Sequence, residues 1–214
     1  MDVDQIWAAI DAERSSLADL LEDLSPSEWR TPPLCDAWRV GDVAAHLTLA
    51  HAGYRDVFTA ALRARGNFDR MIRDEALRAA SLPQEEYPRR LRAMLGSRRT
   101  APFLTPKQPL LDVLVHGQDI TVPLGRSRPM PAAAAAVAAQ AAWDVGFPFR
   151  ARRRLAGLRL TATDADWTVG SGAQVEGPIA ALLLLLTGRQ AALDQLTGDG
   201  VRTLRRREEM RRPS

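Results

Sequence analysis

The 214-residue sequence has a single cysteine, Cys35, and only three histidines. One cysteine excludes an internal disulfide and a cysteine-rich metal site, which fits a reducing cytoplasm. Any thiol chemistry must therefore use a partner's sulfur. Lysine is almost missing, with Lys107 alone among the 29 basic residues, a usage that reads as base composition and carries no function. Long hydrophobic runs are missing as well: the apolar stretch Ile179 to Leu186 falls well short of the ~20 residues a spanning helix needs. The start Met-Asp-Val-Asp-Gln has no basic-then-apolar signal pattern. The expectation is a cytoplasmic protein with no membrane partner.

The formal charge of +3 sits in the tail, where six arginines face two glutamates from Arg202 onward and leave the rest close to neutral. No aromatic stacking platform accompanies Arg205-Arg206-Arg207, so these residues read as a solvated basic terminus and not as a nucleic-acid surface. Apolar residues at helical intervals run from Asp4 to Leu24, with Asp11, Glu13, Arg14, Asp19 and Asp23 on the polar side. Ser25-Pro26-Ser27-Glu28 has a capping-box pattern. Further helices are expected over Val40–Arg65, Phe68–Ala80 and Pro83–Ser97, the last disturbed early by Pro88. A loop from Arg98 to Pro109 precedes a helix bearing Asp112 and His116, and an alanine-rich helix follows to about Trp143.

After Gly146 the period changes to two, which predicts short antiparallel strands at Leu158–Thr163, Trp167–Gly170 and Gln174–Glu176, with Gly170-Ser171-Gly172 as a hairpin turn. The apolar helix Ile179–Leu186 comes next. The fold class is therefore α+β and mainly α: a helical bundle over residues 1–147, a small α+β domain over 148–205 and a basic flexible tail from 206 to 214.

Asp112 and His116 are four residues apart, which stacks a carboxylate and an imidazole on one helix face, and Asp119 lies nearby on that surface. His46 sits in a second helical segment, and packing the two together could bring three ligands to one point. Two imidazoles and a carboxylate suit zinc with an open fourth position, while a buried hydrogen-bonded pair is the other reading of the same spacing. His51, five residues beyond His46, falls on a different face and reads as a surface residue. Cys35 reads as a small side chain in a packed turn.

The stretch Leu34-Cys35-Asp36-Ala37-Trp38-Arg39-Val40-Gly41-Asp42-Val43-Ala44-Ala45-His46-Leu47 resembles the opening motif of the mycothiol-dependent maleylpyruvate isomerase family of the DinB-like superfamily. Leu111 through Ile120 resembles its second motif. The segments Leu158 to Trp167, Val175-Glu176-Gly177-Pro178 and Gly188-Arg189 are similar to the C-terminal domain attached to many members. The resemblance implies a DinB-like bundle whose zinc, or another divalent metal, is held by His46, Asp112 and His116. It also implies mycothiol as cosubstrate and an arginine linked to activity, for which Arg189 is the candidate. Asp119 reads as orienting a ligand histidine, with capping of the next turn as the other reading. The family's isomerase has glutamate at the acid position, one methylene longer than Asp112.

The expected function is metal-dependent thiol chemistry. A mycothiol-dependent isomerase or S-transferase would act on an electrophilic small molecule through a metal-bound thiolate, as a monomer or homodimer. The alternative is a non-catalytic small-ligand-binding or stress-response protein with the same fold.

Overall fold

Asp2 starts the first helix by accepting the Gln5 amide at 2.8 Å, while Gln5 Oε1 accepts the Asp2 amide at 2.9 Å. Two donors that a helix start leaves orphaned are thus satisfied. In the computed structural model, which describes residues 1–35, 38–49, 82–100 and 104–209, this helix is α1 (Val3–Glu22). It buries Ile6, Trp7, Ile10, Leu17, Ala18 and Leu21. Ser25 and Glu28 make the expected capping box, with the Ser25 amide 2.8 Å from Glu28 Oε2 and the Glu28 amide 3.3 Å from Ser25 Oγ.

Next come α2 (Val40–Leu47), α3 (Glu86–Ala93) and α4 (Lys107–Thr121). Helix α2 ends at Leu47, capped by Thr48, although one helix is expected over 40–65; residues 50–65 of it, the whole of Phe68–Ala80, and His51 lie outside the described residues. Pro88 leaves α3 undisturbed because it falls in the first turn, where an amide has no partner inside the helix. Pro109 does the same in α4, so that helix begins at Lys107, inside the segment expected to be a loop. Helix α1 packs against α3 and α4, and α2 packs against α4. Leu110 and Leu114 of α4 are at most 1% exposed, each contributing roughly 2 kcal/mol of burial.

Two charged residues depart from the polar side that periodicity assigns them: Glu13 and Arg14 are both buried. Arg128 reaches across to Glu13 Oε2 at 2.6 Å and to Ser16 Oγ at 2.8 Å, and a side chain at Gly117 would meet Arg128 Nε at 2.8 Å. Glycine at 117 therefore leaves the space that Arg128 occupies. Apolar spacing cannot reveal a charge neutralised by a residue more than a hundred positions away.

The chain divides into two compact units between Pro129 and Met130, ahead of the boundary expected near 148. The reason is the alanine-rich helix α5 (Ala132–Asp144), whose small side chains pack on α7 (Ile179–Leu186) within the second unit. Between them lie the short α6 (Ala151–Arg154) and strands β1 (Leu158–Ala162), β2 (Thr168–Gly170) and β3 (Ala173–Gly177), ordered β2-β1-β3. With α8 (Asp199–Glu209), the described residues form eight α-helices and one small sheet, an α+β, mainly α fold.

Two expectations are corrected in this unit. Strand β1 pairs antiparallel with β2 but parallel with β3, so Gly170-Ser171-Gly172 is no hairpin turn; it carries the chain past the start of β1 to its far side. Gly170 and Gly172 have φ of 76° and 120°, and a side chain at Gly172 would lie 2.1 Å from the Gly157 carbonyl oxygen. The basic segment, too, differs from a plain tail: it is helical through Glu209 as part of α8, which buries Val201 and Leu204 and packs on β3, while residues 210–214 lie outside the described residues. Arg207 donates to the Arg154 and Ala156 carbonyls at 2.9 Å each. Among the described residues no helix is long and apolar enough to cross a membrane.

Gly172→Ala should cost about 3 kcal/mol, since left-handed strain and a clash with fixed backbone act together. Thermal melting monitored by circular dichroism should show a clearly lowered midpoint for this variant, whereas Gly146→Ala, which meets nothing within 4 Å, should melt close to the unmodified protein.

Candidate metal centre

Helix α4 presents Asp112 and His116 one turn apart, and α2 brings His46 to the same point. The Nε2 atoms of His46 and of His116 each lie 3.4 Å from Asp112 Oδ1, and one ligand atom from each of the three residues lies within 4.8 Å of the others. Donors bound about 2.0–2.1 Å from one ion at tetrahedral angles are roughly 3.3–3.4 Å apart, so the spacing fits. The shorter acid therefore stands at a workable distance from both imidazoles. Asp112 is the open side of the cluster, its side chain 34% exposed against 16% for either histidine.

Asp119 occupies the opposite edge of His116, its Oδ2 2.7 Å from Nδ1, and is fully buried. A carboxylate there holds a proton on Nδ1 and leaves the Nε2 lone pair for the cluster. Trp38 covers the pair: its ring stacks 6.2 Å from His116 at an interplanar angle of 8° and meets His46 edge-on at 5.4 Å. Cys35, expected only to fill a packed turn, donates its S–H to Asp119 Oδ2 at 3.0 Å.

The electrostatics follow from these contacts. Burial alone would raise the Asp112 carboxyl, but the charges and hydrogen bonds of His46 and His116 outweigh it and hold it well below the usual carboxylate range. For His116, burial is overcome by hydrogen bonds to Asp112, Asp119 and Cys35, which raise it well above an ordinary histidine. Burial pushes the Cys35 thiol up.

A family model described as the mycothiol maleylpyruvate isomerase N-terminal domain matches residues 10–121, just over half the chain. The chain belongs to this family. The matched stretch contains every residue of the cluster, while Arg189 lies beyond it. Among solved structures, the mycothiol-dependent maleylpyruvate isomerase is similar in fold, with a TM-score of 0.62 and 14% identity over 93% of each chain. A variant of that enzyme with one histidine changed to alanine gives 0.59 and 12% over the same shares. No curated protein matches the sequence.

Within this maleylpyruvate isomerase family fold, Arg189 belongs to the second unit, where its Nη1 donates to the Thr187 carbonyl at 2.9 Å. Arg14, which apolar spacing assigns to the polar side of α1, carries no signal of a site role in the sequence. It is 2% exposed, its Nη1 has no hydrogen-bond partner among the described residues, and the same holds for the buried Asp11 Oδ1 on the next turn. Burial lowers the Arg14 pKa, and the charges of Asp11 and Asp112 partly offset that, which places Arg14 within electrostatic range of the cluster. Among polar residues on a helix, only the tertiary packing distinguishes this one. A buried unsatisfied donor costs about 1–3 kcal/mol. Arg14→Met is therefore expected to melt no lower than the unmodified protein; a drop in melting temperature would show instead that the guanidinium contributes to the fold.

Proposed function

We propose that this chain is an enzyme of thiol chemistry dependent on a divalent cation, an isomerase or S-transferase that uses mycothiol against an electrophilic small molecule. The observation that carries this reading is the placement of two imidazole nitrogens at 3.4 Å from one carboxylate oxygen, on a cluster open at that carboxylate. His46, Asp112 and His116 would hold the ion, and nitrogen–oxygen donors in this number suit zinc. When bound, the cation supplies positive charge that favours thiolate over a thiol whose ordinary pKa is about 8.5.

The chain's own residues prepare that chemistry. Asp119 keeps the His116 proton on Nδ1, so that Nε2 faces the ion. Trp38 shields both imidazoles on one side, which keeps water from that flank. The buried Arg14 adds positive potential near Asp112 and favours an anionic group on the open side. Arg189 is carried by the family resemblance alone as the arginine that orients a substrate carboxylate.

Metal analysis of the purified protein should give one divalent ion per chain, lost in His46→Ala and in His116→Ala. Asp119→Asn should bind about 10–100-fold more weakly. Consumption of mycothiol with a panel of electrophiles should be metal-dependent in the unmodified protein and strongly reduced in Arg189→Ala. Unchanged metal content in both histidine variants would remove the reading, and saturable ligand binding without turnover would favour the non-catalytic binder.

A further inference from the structure

His116 has potential ligands on both of its edges. On the Nδ1 side stand Asp119 Oδ2 at 2.7 Å and Cys35 Sγ at 3.9 Å, with sulfur and oxygen 3.0 Å apart. One ligand atom from each of these three residues lies within 4.8 Å of the others, as in the cluster around Nε2. We propose that Cys35, Asp119 and His116 form a second cation locus, selective for a thiophilic divalent ion and occupied in alternation with the first.

Alternation follows from the ring. A neutral imidazole ligates through one nitrogen and carries its proton on the other. Here a carboxylate waits on each side, Asp119 at Nδ1 and Asp112 at 3.4 Å from Nε2, so either tautomer finds an acceptor. An ion at Nδ1 puts the ring proton on Nε2, facing Asp112. The thiol proton is released to solvent as the sulfur–metal bond forms: Cys35–SH and M²⁺ give Cys35–S–M⁺ and H⁺.

Charge and geometry favour the locus. One thiolate and one carboxylate neutralise a divalent ion, whereas the first cluster with its single carboxylate retains a positive charge, and a neutral set suits a place where Asp119 is fully buried. Sulfur ligation selects soft ions. Tetrahedral donors with a sulfur bond of about 2.3 Å and a nitrogen bond of about 2.0 Å lie roughly 3.5 Å apart, so Cys35 and His116 stand near the required spacing. Only Oδ2 has to withdraw, by about half an ångström. The Leu34 amide donates to the Asp119 carbonyl at 3.1 Å, which fixes the segment carrying Cys35 against α4.

Cadmium and cobalt titrated into the full chain under a non-thiol reductant test this through thiolate-to-metal charge-transfer absorption. A band saturating at one ion per chain is expected in the unmodified protein and in His46→Ala, and none in Cys35→Ser. Cadmium affinity should be at least tenfold weaker in Cys35→Ser and in Asp119→Asn. Circular dichroism checks that the variants fold, and Cys35→Ala supplies a second thiol-free variant. No band in the unmodified protein, cadmium affinity unchanged without the thiol, or a band lost in His46→Ala would overturn the proposal. Zinc lost from His46→Ala with the cadmium band retained separates the two loci, so either one can fail alone.

Discussion

The imidazole of His116 is held from both edges, and the site around it depends on that arrangement. Asp119 takes Nδ1 at 2.7 Å from a fully buried position, and Asp112 faces Nε2 from a half-open one. The asymmetry has a physical cause. Seven residues make two turns of α4, so the two carboxylates share a face on either side of His116, one under packing and the other at the rim, and one anion fixes the ring while the other remains available. Trp38 can stack on His116 because the ring is held in a single plane.

The first unit supports this with an ion pair that is costly to disturb. Arg128 and Glu13 meet at 2.6 Å with side chains 6% and 11% exposed, and removing one partner from such a pair leaves an uncompensated buried charge, typically about 3–5 kcal/mol. The pair ties α1 to the chain just past α4, on the flank where Gly117 gives up its side chain. Helix packing and site geometry are therefore set by neighbouring residues: Gly117 admits Arg128, and His116 beside it faces the cluster.

Much of this was legible in the sequence because it is local. The i to i+4 spacing of Asp112 and His116, the capping box at Ser25 and Glu28, and the apolar face of α1 need only a helix and its period. The pairing of His46 with α4 needed packing, and the family resemblance supplied it. What stayed hidden depends on distant partners. Arg14 and Glu13 read as solvent-facing because their burial is set by α4 and Arg128. The parallel pairing of β3 was hidden because two glycines suit a hairpin as well as they suit a passage around β1. The alternating texture marked strands correctly, yet the domain boundary followed packing between α5 and α7.

Two of the three donors in the Nε2 cluster come from one turn of one helix, and this divides the site unequally. Their separation is set by the backbone ladder of α4 alone. The third donor comes from α2, a helix of eight residues. Any ion shared by the three is thus a cross-link between a short element and a long one. Its grip would act chiefly on the docking of α2, and so on Trp38, whose ring lies against both imidazoles just ahead of that helix.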